Sequence, residues 1–201
     1  MTGLFDFSAF PRLTTERTVL REWQPGDAAD LFVWRSDPEV QRYNSEPMRD
    51  VTEAAQLIDE LRGAYSAQRE IFWAVTHRGD GRAIGLFGFN SWERHHRRAA
   101  IGYDLRRNYW GRGIATEALA AILSFGFTRM DLNRVEAETI ADNHASVRRL
   151  QRLGFQREGL RRAYTVEEDG TFHDSAIYGL LASDYRRLRP AHTVRSPDRR
   201  E

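Results

Sequence analysis

The chain has no cysteine. That excludes a disulfide framework, a thiolate metal site and a cysteine nucleophile, and it fits a reducing compartment. It also lacks net charge. Against 30 arginines stand 29 aspartates and glutamates, leaving a formal +1 over 201 residues, so no global field draws the chain onto nucleic acid or a membrane. No stretch is long and apolar enough to span a bilayer. Met1 to Phe10 shows no cationic start followed by an apolar run, so no signal peptide is expected. There is no internal repeat and no G-x-x-x-x-G-K-S/T, which sets aside the NTPase phosphate loop. A G-x-G-x-x-G inside a βαβ unit with a following acid is missing too, which argues against the dinucleotide fold. The expectation is a cytoplasmic protein with no metal, no direct nucleic-acid partner and no membrane partner.

What is present is a chain with 41% hydrophobic residues, enough for one sizeable core. A single domain over residues 1–186 is expected, followed by a polar, proline-interrupted tail over 187–201 whose composition predicts disorder. Thr18 to Trp23 reads as a strand. The Pro25-Gly26-Asp27 turn leads into a helix carrying Ala28, Leu31, Phe32 and Trp34, which Pro38 ends or kinks. Asp50 to Gln68 places Ala54, Leu57, Ile58, Leu61 and Tyr65 at helical spacing. Three strands follow, over 71–76, 83–92 and 98–105, the first two joined by a Gly79-Asp80-Gly81 hairpin turn. A helix over about 115–129, a strand over 134–140, a helix over 143–153 closed by Gly154, and strands over 155–162 and 172–181 complete the order. Single helices between strands imply a parallel pair inside a mixed α/β sheet.

The segment with chemistry in it is Tyr103 to Ala115, YDLRRNYWGRGIA. A strand ends, a glycine turn follows and a helix begins. The first turn of a helix presents unpaired N–H groups and the positive end of the dipole, and glycines let an anion approach those amides closely. Gly111 and Gly113 could equally make only a tight turn. Farther along stands Ala141-Asp142-Asn143-His144-Ala145-Ser146, then VRRLQRLGF.

Together these two segments resemble the core of the GCN5-related N-acetyltransferase (GNAT) family, whose phosphate motif, Q/R-x-x-G-x-G/A, falls on Trp110 to Ala115. Trp110 departs from the usual Gln or Arg. That departure, with YWGRGIATEAL, DNHAS, RLGF and the closing pattern from Glu158 to Tyr178, is similar to the ribosomal-protein N-acetyltransferase branch. The likeness covers roughly residues 12 to 185. It implies a central mixed sheet of six to seven strands with about four helices. It also implies acetyl-CoA wedged between two splayed parallel strands, those ending at Leu105 and Ile140.

On this resemblance Asp104, Leu105 and their neighbours would meet the pantetheine arm through backbone. The amides from Gly111 through Arg112, Gly113 and Ile114 to Ala115, with Trp110 and Thr116 beside them, would bind the pyrophosphate. Arg112 would add charge there, and Arg149 would reach the 3′-phosphate. Asn143 would hold pantetheine or order a water, alongside ordinary N-capping. Many members place a tyrosine seven residues after this asparagine; here that position is Leu150, so Ser146 is the implied acid to the departing thiolate. The amine must lose a proton before it attacks. Glu138 is the expected base, with Glu136 beside it on the same face, and Thr165 and Glu167 farther on; structural ion pairs are the alternative for both strand glutamates. The activity implied is acetyl transfer from acetyl-CoA to a primary amine in a ternary complex. The acceptor is a protein N-terminus or a small molecule, and the enzyme a monomer or homodimer. A non-catalytic acyl-CoA sensor would keep the same groove. His95 and His96 sit in a polar turn, and Trp92 is the aromatic expected nearest an acceptor pocket.

Overall fold

The computed structural model describes residues 5–166 and 170–188. Eight strands form one mixed sheet: β1 (Leu13–Thr14), β2 (Thr18–Arg21), β3 (Ile71–His77), β4 (Ala83–Glu93), β5 (Arg98–Leu105), β6 (Arg134–Ile140), β7 (Gln156–Val166) and β8 (Phe172–Leu181). Their order across the sheet is β1-β2-β3-β4-β5-β6-β8-β7. Six helices accompany them: α1 (Ala28–Arg35), α2 (Pro38–Gln41), α3 (Val51–Ser66), α4 (Ile114–Thr128), α5 (His144–Arg152) and α6 (Ala182–Leu188). The mixed α/β architecture is the one expected, with more elements than the six to seven strands and four helices implied. The additions are short: two-residue β1, four-residue α2 and terminal α6. Such elements carry too little periodic pattern to be read from sequence. Of the tail expected from 187, residues 187 and 188 finish α6, and 189–201 lie outside the described residues. No helix among the described residues is long and apolar enough to cross a membrane.

Alternation along the central strands builds a core on each face. On β3, Ile71, Trp73 and Val75 join Phe87, Phe89, Ile101 and the buried stripe of α4 (Ile114, Leu119, Ile122, Leu123). Ala74 turns to the opposite face, where Trp23, Leu31, Trp34, Ala54 and Ile58 pack α1 and α3 against the sheet. Fully burying one such large side chain contributes about 1.5–3 kcal/mol. Strands β3 and β4 run so close that a β-carbon at Gly88 would collide with the Ile71 carbonyl oxygen and the Phe72 backbone.

Helix starts follow local chemistry. Asp50 caps α3 by accepting from Thr52 N (2.7 Å) and Glu53 N (3.3 Å). Asp37 caps α2 by accepting from Glu39 N (2.9 Å), with Pro38 in the first position. A side-chain oxygen at the N-cap satisfies amides the helix itself cannot.

Among the described residues one pair of strands runs parallel, and it is where the sheet opens. Strands β5 and β6 are in register only at Arg98↔Arg134, Ala99↔Val135 and Ala100↔Glu136. Beyond these three pairs they diverge, while β6 keeps its pairing with β8 all the way to Ile140↔Ser175. A wedge therefore opens in the middle of the sheet between Ile101–Leu105 and Ala137–Ile140. At the rims, β1 is two residues long, and β7 breaks register with β8 twice, between Arg157 and Gly159 and between Arg161 and Thr165.

Candidate active site

The wedge is a cavity of about 460 Å³, lined among others by Ile101 to Leu105, Trp110, Gly111, Glu138, Asn143, Ser146 and Arg149. Its lower end leads to a smaller space of about 190 Å³ between Trp110, Gly113 to Thr116, and the arginines 148, 149 and 152.

The glycine turn forms that end. After β5 a 3₁₀ turn at Arg107–Tyr109 swings the chain round, and the Trp110 indole N–H donates to the Leu105 carbonyl (2.6 Å), pinning the turn to the strand end. Gly111 (φ 71°) and Gly113 (φ 77°) both lie in the left-handed region. Gly113 is the N-cap of α4, and no side chain caps that helix. Its first amides keep their hydrogen-bonding capacity and the positive end of the dipole. With three arginines across a 190 Å³ gap, this is a site for a polyanion. Ile114 and Ala115 are buried and offer backbone; Thr116 lines the small cavity.

One side chain stands away from its expected place here, and another was not anticipated. The Arg112 guanidinium lies over the Tyr109 ring (6.0 Å to its centroid) and does not line either cavity. Its carbonyl instead accepts from Arg17. Arg17, which sequence reading missed, braces the whole turn. Its backbone N–H and its Nε donate to the two oxygens of Glu117 (2.9 and 2.7 Å), and Nη1 donates to the Arg112 carbonyl. Burial pushes the Glu117 carboxyl up, but hydrogen bonds from Thr15 and Arg17 outweigh it and hold the group below its usual range. Arg17 is distant in sequence and carries no motif, so only the fold reveals it.

Asn143 and Ser146 come together as anticipated. Asn143 caps α5, its Oδ1 accepting from Ser146 N (3.1 Å). Ser146 is buried, and its Oγ lies 2.8 Å from the Tyr103 hydroxyl. The Tyr103 ring stacks on Phe87 (centroids 5.6 Å apart), and the Arg149 guanidinium sits 5.3 Å from its centroid. Leu150 is fully buried in the core.

The Asp104 carboxylate is turned toward the protein, against Arg35 (2.7 Å) and the Asn44 amide. Burial pushes it above the ordinary carboxylate range, and Arg35 and Asn44 pull it part of the way back. What it offers a ligand is therefore chiefly its backbone. The same Arg35 donates to Gln41 (3.3 Å) and Ser45 (3.1 Å), tying the 38–47 segment to β5.

Glu138 stands at the wedge, where both its oxygens are engaged: Oε1 accepts from the Ser175 hydroxyl (2.6 Å) and Oε2 from Arg161 (2.7 Å). Glu136 pairs with Arg134 (2.7 Å) and does not line the wedge. Glu167 lies outside the described residues; Thr165 lines a second cavity. That cavity, about 990 Å³, runs between the 38–47 segment and Glu138 to Ile140, Thr165, Val166 and Ser175. It shares Glu39, Arg42, Tyr43, Asn44, Glu138 and Thr139 with the wedge.

Trp92 is not in this cleft. It stacks on Phe7 (5.3 Å) with Arg94 over its ring (4.5 Å), an edge of the core away from both cavities. The sequence placed Trp92 near a strand end, but the wrong end. His95 and His96 lie in the exposed β4–β5 turn, and no group of three or more potential metal ligands occurs among the described residues.

Comparison with known proteins agrees with this geometry. The profile of the Acetyltransferase (GNAT) domain matches residues 17–156. YoaA, an uncharacterized N-acetyltransferase of Bacillus subtilis (strain 168), is 36% identical over 173 residues, spanning 86% of this chain and 97% of its own. The ribosomal protein uS5-alanine N-acetyltransferase of Escherichia coli (strain K12) is 26% identical over 183 residues, spanning 87% and 92%. Among solved structures, Mycobacterium smegmatis RimJ in complex with CoA-disulfide superposes with a TM-score of 0.76 at 26% identity, over 86% of this chain and 87% of that one.

Proposed function

Because the chain belongs to the acetyltransferase (GNAT) family and is an acetyl-CoA-dependent N-acetyltransferase, we propose that the amine it acetylates is the N-terminal α-amine of a protein. The observation that carries this reading is the second cavity. Its 990 Å³ is more than twice the wedge volume, it shares lining residues with the wedge, and its walls are α2 with the turn after it on one side and strand residues of β6, β7 and β8 on the other, many of them polar. Such a cleft accepts the first residues of a peptide laid along β6 and the 38–47 segment, with the amine delivered to the wedge. On its walls Glu39 and Glu46 outnumber Arg42, and Glu138 is paired with Arg161, a balance that suits an acceptor arriving as a cation. The likeness to an alanine N-acetyltransferase of a ribosomal protein supports the same class. We assign the protein to the cytoplasm, as monomer or homodimer, as part of this reading.

Residue roles follow from position. Gly111 to Ala115 cradle the pyrophosphate with their amides, and Arg148, Arg149 and Arg152 neutralise phosphate charge. The β5 main chain at Asp104 and Leu105, beyond the point where pairing with β6 ends, holds the pantetheine arm; the Leu105 carbonyl is already taken by the Trp110 indole. The reaction requires a neutral amine. With both Glu138 oxygens already bonded, the proton leaves through water that this carboxylate and Ser175 order. The amine attacks the thioester carbonyl, whose developing oxyanion is met by a backbone N–H of β5. Ser146, at the positive end of α5, faces the departing sulfur.

The test presents acetyl-CoA with an alanine-starting peptide, with the same peptide N-α-blocked but bearing a lysine, and with a panel of small primary amines. Thiol release gives the rate, and mass spectrometry places the acetyl group. Acetylation of the free α-amine alone is expected. Turnover of a small amine with no reaction at either peptide would overturn the peptide reading.

A further inference from the structure

Resting on the reading that Ser146 serves the departing sulfur, we propose that Tyr103 is the ultimate proton source for that sulfur, acting through Ser146 as a positioning residue. The two hydroxyls lie 2.8 Å apart across the wedge, one from β5 and one from α5. Both line the same cavity. The next side chain of α5 that faces inward, Leu150, has no proton to give.

The chemistry needs a second hydroxyl. An alcohol is a far weaker acid than a thiol, so a lone serine cannot surrender its proton to a thiolate and remain an alkoxide. A phenol ionises near pH ~10 and a thiol near ~8.5. If serine accepts from tyrosine as it donates to sulfur, the only net ionisation is that of the phenol, about 1.5 units from the thiol. The step balances as follows. The carbon–sulfur bond of the tetrahedral adduct breaks and its electron pair goes to sulfur. Sulfur takes the Ser146 hydroxyl proton, Ser146 Oγ takes the Tyr103 proton, and the negative charge ends on the Tyr103 oxygen. Tyr103 is reprotonated from solvent in the open wedge, into which the acceptor nitrogen has released its own proton. The Phe87 stack holds the ring with its hydroxyl against Ser146, its one side-chain hydrogen-bond partner among the described residues.

Either hydroxyl of this pair can donate, and the proposed relay assigns the hydrogens. Tyr103 donates to Ser146, which leaves the Ser146 hydrogen directed into the cavity.

The test compares Tyr103→Phe, Ser146→Ala and the double variant in single-turnover acetyl transfer, with calorimetric acetyl-CoA affinity measured on each. Tyr103→Phe keeps the ring and its stack on Phe87, so affinity should stay within about twofold. Each single variant should slow transfer by about 10²-fold. The double variant should be no slower than Ser146→Ala alone, because one residue acts only through the other. In mixed light and heavy water the wild type should give a bowed proton inventory and Tyr103→Phe a straight one. In the ligand-free protein, 3-fluorotyrosine at position 103 should shift its fluorine resonance when Ser146 becomes alanine. Wild-type rates in Tyr103→Phe, multiplied losses in the double variant, or a loss confined to acetyl-CoA affinity would each overturn the assignment. The acceptor does not enter: the same comparison runs on a small amine if the peptide reading fails. Absence of transfer to any amine by the wild type would instead remove the catalytic reading beneath it.

Discussion

Replacing Gly113 with alanine tests whether the phosphate turn is built on left-handed backbone. At φ 77° a β-carbon costs about 1–2 kcal/mol. Steric crowding adds little, since the nearest atom to that β-carbon is Arg17 Nη2 at 3.3 Å, the far end of a flexible side chain. In a chain of this size one kcal/mol corresponds to about 2–4 °C in Tm, so Gly113→Ala should lower Tm by about 2–8 °C. Gly63 is the control. It lies exposed within α3, and nothing stands within 4 Å of an added β-carbon. There alanine gains about 0.8–1 kcal/mol of helix propensity and should raise Tm by about 2–4 °C. Scanning calorimetry of the three proteins without ligand should therefore show shifts of opposite sign. Equal shifts, or a neutral Gly113→Ala, would refute the claim that this turn needs a residue free to adopt positive φ. Acetyl-CoA added at a fixed concentration should raise the Tm of Gly113→Ala less than that of the wild type, because the relaxed turn no longer aims its amides.

Two further substitutions probe the frame of the site. Asp104→Ala leaves the largely buried Arg35 without its counter-charge, and denaturant unfolding should report a loss of about 3–5 kcal/mol. Pairing Arg35→Met with Asp104→Leu should recover most of it, since the loss reflects an uncompensated charge. Tyr65 donates to the Ala9 carbonyl (2.8 Å), and burial, aided by Glu22 and Asp6, pushes its phenol up to about 12. The unfolded chain therefore loses this proton first. Stability should be level below pH ~10, fall from there to about pH 12, and fall less steeply over that window in Tyr65→Phe. An unchanged slope would place the phenol in ordinary solvent.

The large elements were legible because their signals are local. Amphipathic spacing in α3, alternation in β3 and the Gly79–Gly81 turn each need only neighbouring residues. The glycine turn was legible because it compresses a strand end, two glycines and a helix start into one segment. Asn143 and Ser146 were legible because a cap and its partner sit three residues apart. Arg17, Arg35 and Asn44 were not, since each gains its meaning from a partner a long way along the chain: Glu117, and for the other two Asp104. Tyr103 was in plain view within the motif, yet nothing in YDL says that its hydroxyl meets a serine on α5. Arg112 stood in the sequence as either a phosphate contact or a solvated loop arginine; its guanidinium lies over Tyr109. Trp92 shows the remaining ambiguity: alternation gives the face of a strand, and the fold alone decides which end meets the cleft.

An open sheet of eight strands has two rims, each a potential template for another chain's backbone. Here the rims are blunted by different means. One is β1, too short at two residues to guide a foreign strand. The other is β7, which is eleven residues long and exposes Leu160, Tyr164 and Val166. Its two register breaks kink the ladder, and Arg157, Arg161 and Arg162 charge it. Uncontrolled strand-on-strand polymerisation is thereby discouraged at both margins. Among the described residues, a third strand margin lies inside the sheet, where β5 and β6 part after Ala100 and Glu136, an edge sheltered between neighbours rather than presented at a rim.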